Sequence, residues 1–160
     1  MKRIVVCCIV IMLFASGCLK SKVDDSCDFD ACSFKVPAAE VLKLEEYLAA
    51  NSITADQHCS GMYYSILNPG AGQSPKICNG VSVKYIGKLA DGQTFDESAT
   101  PVNFQLSSLI GGWQLGITLL KPGGKIRLYI PPSLGYGNQT TGTIPPNSML
   151  IFDVELVAVY

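Results

Sequence analysis

The stretch YIGKLADGQTFDES, Tyr85 to Ser98, decides the fold. Leading into it, Val81, Val83 and Tyr85 alternate with Ser82 and Lys84, the period-two pattern of a half-buried strand. Asp91-Gly92 is a hairpin turn between that strand and Gln93 to Phe95. Downstream, Val102, Phe104 and Leu106 alternate again. Leu109 to Leu120 has helical or turn-like character around Trp113, and Pro122-Gly123-Gly124 is a turn. In Lys125 to Ile130, Ile126, Leu128 and Ile130 alternate with Lys125, Arg127 and Tyr129. Pro131 to Pro146 is loop-rich and holds Tyr136. Met149 to Tyr160 is nearly continuously apolar, so it reads as a strand covered on much of both faces. Upstream, Met62 to Leu67 is a short apolar-aromatic run closed by Asn68-Pro69-Gly70. The expected class is α+β, with about five antiparallel strands and one short helix across them.

Composition narrows the chemistry. The 160 residues are 48% hydrophobic and only 16% charged, the balance of a folded chain of single-domain size. Twelve basic against thirteen acidic residues leave a net charge of −1 with no basic stripe, which argues against nucleic acid as a partner. His58 is the only histidine and lies outside the strand-rich region, which removes Ser-His-Asp and Cys-His catalysis there. No phosphate loop is present, because Leu119 stands where the first glycine is needed and Ile126 where Ser or Thr is needed. The expectation is a protein without metal or cofactor. What remains is an aromatic and aliphatic set, Tyr85, Phe95, Leu109, Ile110, Trp113, Tyr136, Ile144 and Phe152, which composition alone reads as core.

The N-terminus carries its own signals. Lys2 and Arg3 precede an apolar run from Ile4 to Ala15, too short for a comfortable membrane span and typical of a secretory signal. LFASGC resembles a bacterial lipoprotein signal, with residues 1–17 removed and Cys18 lipidated. A cleaved signal with an incidental Cys18 is the alternative. Removal leaves 10 basic and 13 acidic residues, a net charge of −3. Residues 18–36 read as a polar tether, with Asp24, Asp25, Asp28 and Asp30 making a solvated spacer. These acidic residues after Cys18 loosely resemble the surface-export tag of some Bacteroidetes lipoproteins. Pro37 to Asn51 reads as a helix within a 37–61 extension, with Pro37 at its first position and an apolar stripe of Val41, Leu42, Leu44, Tyr47 and Leu48. Cys27, Cys32, Cys59 and Cys78 make an even count, consistent with two disulfides in an exported protein. Three connectivities are open, and Cys27–Cys32 with Cys59–Cys78 is preferred. The rival is a metal site of Cys27, Cys32, His58 and Cys59.

Residue order then adds what composition lacks. YIGKLADGQTFDES resembles the motif of FKBP-type peptidyl-prolyl cis-trans isomerases. LIGGWQLG (109–116), GGKIRLYIPPSLGYG (123–137) and IPPNSMLIFDVEL (144–156) resemble that family's further motifs, in the family's order. The resemblance covers roughly residues 80–160 and places an isomerase domain at 62–160. It implies a curved antiparallel sheet wrapped around a short helix, with a pocket between them. Trp113 would floor the pocket, and Tyr85, Phe95, Leu109, Ile110 and Phe152 would wall it. The Ile110 N–H and the Tyr136 hydroxyl would hold substrate carbonyls, Asp96 would orient the pocket, and Ile144 would line its rim. Val102 would join the substrate-binding wall where the family often has an aromatic residue. The implied activity is X–Pro isomerisation on proline-containing polypeptides, with macrolide inhibitors as further ligands and a monomer as the expected state. A non-catalytic proline-peptide-binding or chaperone-like module is the alternative on the same fold. The expected location is outside the inner membrane, periplasmic or at the outer membrane, held by the lipid on Cys18.

Overall fold

A computed structural model of the protein describes Cys27 and residues 29–160. The signal segment 1–17, Cys18 and the acidic residues Asp24, Asp25 and Asp28 lie outside the described residues. Six strands form one antiparallel sheet: β1 (Asp56–Gln57), β2 (Tyr63–Asn68), β3 (Gly80–Leu89), β4 (Thr94–Gln105), β5 (Lys125–Ile130) and β6 (Leu150–Val159). Their order across the sheet is β1-β2-β5-β6-β3-β4. The sixth strand beyond the expected five is β1, whose two residues are too few to show a period. β6, the near-continuous apolar run, lies between β5 and β3. Thr94–Phe95 and Val102–Phe104 belong to one long strand, β4, with Gln93 just before it, while Leu106 opens a single 3₁₀ turn. The pairing of β3 with β4 jumps from Val83↔Val102 to Tyr85↔Ser98. That bulge broke the sequence pattern into two runs.

Helix α2 (Gly111–Ile117) crosses one face of the sheet. It comes close because Gly112 and Gly116 meet β5: a Cβ on Gly112 would lie 2.6 Å from Ile130, and one on Gly116 would strike Leu128. Trp113, Leu115 and Ile117 are buried with Ile126, Leu128, Ile130, Leu150, Phe152, Val154 and Leu156 in the main core. Helix α1 (Ala38–Ala50) covers the opposite face. Pro37 is its N-cap, one residue outside the helix rather than inside it. Leu44 and Leu48 pack there against Tyr129. Tyr129 was expected on the polar side of its strand, yet it is 2% exposed because α1 covers it. Beside it, Arg127 donates from Nε and Nη2 to Asp153 at 2.6 and 2.8 Å, joining β5 to β6.

Two sequence expectations are corrected near the N-terminus. Residues 29–36 are not a solvated spacer: Phe29, Ala31, Phe34 and Val36 pack against the main core, so the acidic residues misled the reading. The disulfides are Cys27–Cys78 and Cys32–Cys59, not Cys27–Cys32 and Cys59–Cys78. The reason is placement. The 3₁₀ turn Ala31–Ser33 is laid beside the 58–61 turn by the Val36 N–H to Ser60 carbonyl bond, which leaves Cα32 and Cα59 5.4 Å apart. These bonds also use up the cysteines of the rival metal arrangement with His58.

Candidate functional site

Between α2 and the sheet lies a cavity of about 280 Å³ lined by Tyr85, Asp96, Phe104, Ser108, Leu109, Ile110, Trp113, Tyr136 and Phe152. Each wall follows from local structure. β3 supplies Tyr85, β4 supplies Asp96 and Phe104, and β6 supplies Phe152. Ile110 is the N-cap of α2, and the Gln114 side chain donates to the Ser107 and Leu109 carbonyls at 3.1 and 2.7 Å, which ties the preceding turn to the helix. Trp113 forms the base. Its ring centroid stands 5.2 Å from Tyr85, 5.2 Å from Phe152 and 6.0 Å from Phe104, each edge-to-face. This geometry sets the positive edge of one ring against the negative face of another and rigidifies the base. The Trp113 Nε1–H is buried with no acceptor among the described residues.

The polar groups sit at the mouth. The Tyr85 hydroxyl donates to Asp96 Oδ2 at 2.8 Å. Burial first, then this bond and the nearby carboxylate charge, push the Tyr85 phenol up to about 12. Tyr136 is raised as well, by burial and then by the Asp96 charge. Both phenols therefore stay protonated as donors at neutral pH. A group with a raised folded-state pKa adds stability that is complete below its unfolded value and is lost as pH rises through the folded value. The stability gap between the native chain and Tyr85→Phe is therefore expected to hold steady below pH 10.0 and to shrink as pH rises toward about 12, read from urea midpoints. A gap that closed below pH 9 would contradict this.

A second hollow of about 200 Å³, lined by Phe95, Asp96, Tyr136, Thr141, Gly142, Thr143 and Ile144, shares Asp96 and Tyr136 with the first. Of the residues singled out from sequence, Tyr85, Asp96, Leu109, Ile110, Trp113, Tyr136 and Phe152 line the main cavity. Phe95 and Ile144 line the second hollow, and Phe95 supports the first through an edge-to-face contact with Phe152 at 5.4 Å. Val102 lines neither. It pairs with Val83 ahead of the bulge, and Phe104, two residues on, turns its ring to Tyr85 and Trp113. Phe104 and Ser108 were missed. Phe104 shared the alternation with Val102, and that pattern was the available signal.

The model of the family described as FKBP-type peptidyl-prolyl cis-trans isomerase matches residues 72–157. The chain belongs to this family. FKBP-type peptidyl-prolyl cis-trans isomerase FkpA of Escherichia coli K12 is 47% identical over 103 residues, covering 62% of this chain and 38% of that protein. Peptidyl-prolyl cis-trans isomerase Mip of Coxiella burnetii is 44% identical over 104 residues, covering 62% and 45%. The chain thus spans less than half the length of these curated FKBP relatives. The crystal structure of FkpA from Escherichia coli superposes with a TM-score of 0.68 at 41% identity, over 76% of this chain and 60% of that one. A 1.6 Å structure of a peptidyl-prolyl cis-trans isomerase from Pseudomonas syringae gives 0.67 at 33% identity, over 78% and 97%. The FKBP match begins at residue 72, so α1, β1, β2 and both turns holding Cys32 and Cys59 precede it.

Proposed function

We propose that the FKBP domain accelerates cis–trans rotation of X–Pro bonds in exported polypeptides, while a lipid on Cys18 holds it to a bacterial membrane. The observation that carries this reading is the open, aromatic-walled cavity over Trp113 with donors at its mouth. Amide resonance sets a rotation barrier of about 18–20 kcal/mol. At the twisted transition state resonance is lost and the carbonyl becomes less polar. Water stabilises the planar, more dipolar amide better than the twisted one. A proline ring seated on the Trp113 face, away from water, loses that ground-state preference. The Ile110 N–H and the Tyr136 hydroxyl hold the flanking carbonyls, so rotation takes place about a substrate fixed at both ends. No nucleophile, metal or cofactor is required by this chemistry. Lowering the barrier by about 5.5 kcal/mol corresponds to a rate gain of roughly ten-thousandfold.

Asp96 fixes the Tyr85 hydroxyl and places negative charge at the mouth. Losing a hydrogen bond to a charged group costs about 1.5–3 kcal/mol. Asp96→Val is therefore expected to lower kcat/KM roughly ten- to hundredfold in a folded protein. A protease-coupled assay on X–Pro peptides reads this directly. Peptide binding without acceleration by the native chain favours the non-catalytic module instead. The export reading is supported by two disulfides, which persist in oxidising compartments. Among the described residues no helix is long and apolar enough to cross a membrane. Lipid on Cys18 predicts incorporation of labelled fatty acid that Cys18→Ser abolishes. Protease treatment of intact cells separates a surface location from a periplasmic one.

A further inference from the structure

The N-terminal segment precedes the FKBP match, yet it contacts the chain segments that carry two cavity residues, Tyr136 and Ile110. Glu40, in the first turn of α1, accepts the Ser133 N–H on Oε2 at 3.0 Å, across 93 residues of chain. Ser133 lies in the one-turn 3₁₀ helix Pro132–Leu134. Pro131 and Pro132 carry no N–H, so Ser133 offers the turn's first backbone donor. The following residues close tightly: the Gly135 and Gly137 N–H groups both donate to the Pro132 carbonyl, at 3.0 and 2.9 Å. Tyr136 lies between them, so wherever the turn sits, the Tyr136 ring goes with it. Nearby, Phe34 and Leu134 meet at Gly111, where a Cβ would come within 3.6 Å of Phe34 Cε1 and 3.2 Å of Leu134 Cδ2. Gly111 directly follows Ile110 of the cavity wall.

We propose that Glu40 is a positioning residue for the cavity: its carboxylate on the Ser133 N–H anchors the Tyr136 loop to helix α1. The proposal rests on the isomerase reading above and adds a residue outside the family's matched segment. Its logic is one of fixed ends. α1 is held to the sheet through Leu44 and Leu48 against Tyr129. The strap before it is held by Cys32–Cys59 and by the Val36 N–H bond to the Ser60 carbonyl. Glu40 therefore reaches the loop from a rigid mount. The Tyr136 hydroxyl can hold a substrate carbonyl only if its loop keeps one place.

The test uses the full disulfide-bonded chain. Glu40→Leu is expected to lower kcat/KM on X–Pro peptides about fivefold, while Glu40→Gln, which keeps an acceptor oxygen, restores activity to within about twofold. In a Tyr136→Phe background the Glu40→Leu effect is expected to vanish, because the anchored hydroxyl is already gone. Full activity in a folded Glu40→Leu chain overturns the proposal. So does an effect of equal size in the Tyr136→Phe background. Should Glu40→Leu fail to fold, Glu40→Ala carries the same comparison. If the native chain binds a proline peptide without accelerating it, the isomerase reading falls while this proposal stays testable. The readout is then peptide Kd from the fluorescence of Trp113, the only tryptophan. Glu40→Leu must weaken that Kd and Glu40→Gln must restore it.

Discussion

Trp113→Ala is expected to lose about 3–5 kcal/mol of stability, and roughly a hundredfold of kcat/KM, the rate equivalent of about 2.7 kcal/mol. The stability cost follows from a side chain 4% exposed that packs edge-to-face on three other rings. The catalytic cost has a different origin. Removing the indole admits water to the surface on which the proline ring sits, and water favours the planar amide. Urea unfolding and the protease-coupled assay measure the two costs separately. Trp113→Phe keeps an aromatic base and is expected to recover most of the stability but only part of the rate. A folded Trp113→Ala chain with native turnover would show that rotation is not assisted on this surface.

Eliminating both disulfides is the second large effect. Cys27–Cys78 spans 51 residues and Cys32–Cys59 spans 27. Closing loops of those lengths in the unfolded chain gives each bond a chain-entropy contribution of about 3.5–4 kcal/mol. The shorter loop lies inside the longer one, so their joint effect is smaller than the two taken apart. Reduction, or a Cys→Ser replacement of both pairs, is expected to lower the urea midpoint clearly. The strap at residues 29–36 then keeps only its core packing through Phe29, Ala31, Phe34 and Val36 and its backbone bond to Ser60. Identical urea midpoints with and without reductant would contradict this account.

What the sequence revealed depended on the range over which its signals act. The Asp91-Gly92 turn and the alternation through Val81, Val83 and Tyr85 are local, and they placed β3 and its hairpin. The order of the Tyr85–Ser98, Leu109–Gly116, Gly123–Gly137 and Ile144–Leu156 motifs placed seven residues of the main cavity. Features made by non-local contact were hidden. Val102 and Phe104 share one face of β4, and the strand's own alternation cannot tell which of them lies under Tyr85 and Trp113; the packing makes it Phe104. Tyr129 is buried by a helix about eighty residues earlier in the chain, so its polar-side pattern misled. The cysteine pairing depends on which segments the fold sets side by side, which four isolated positions do not encode. Acidic residues made residues 18–36 look solvated, although Phe29 and Phe34 were enough to dock the end of that segment.

The Cys27–Cys78 link turns residues 27–78 into a covalent ring. A single severed peptide bond inside that ring opens it without releasing a fragment, so α1 and the first two strands stay attached to the rest. Tension applied at the N-terminal end enters the body at Cys78, beside the start of β3, and bypasses the strap and α1 altogether. The elements that mount Glu40 are thereby spared the mechanical load of whatever the leading end is fastened to.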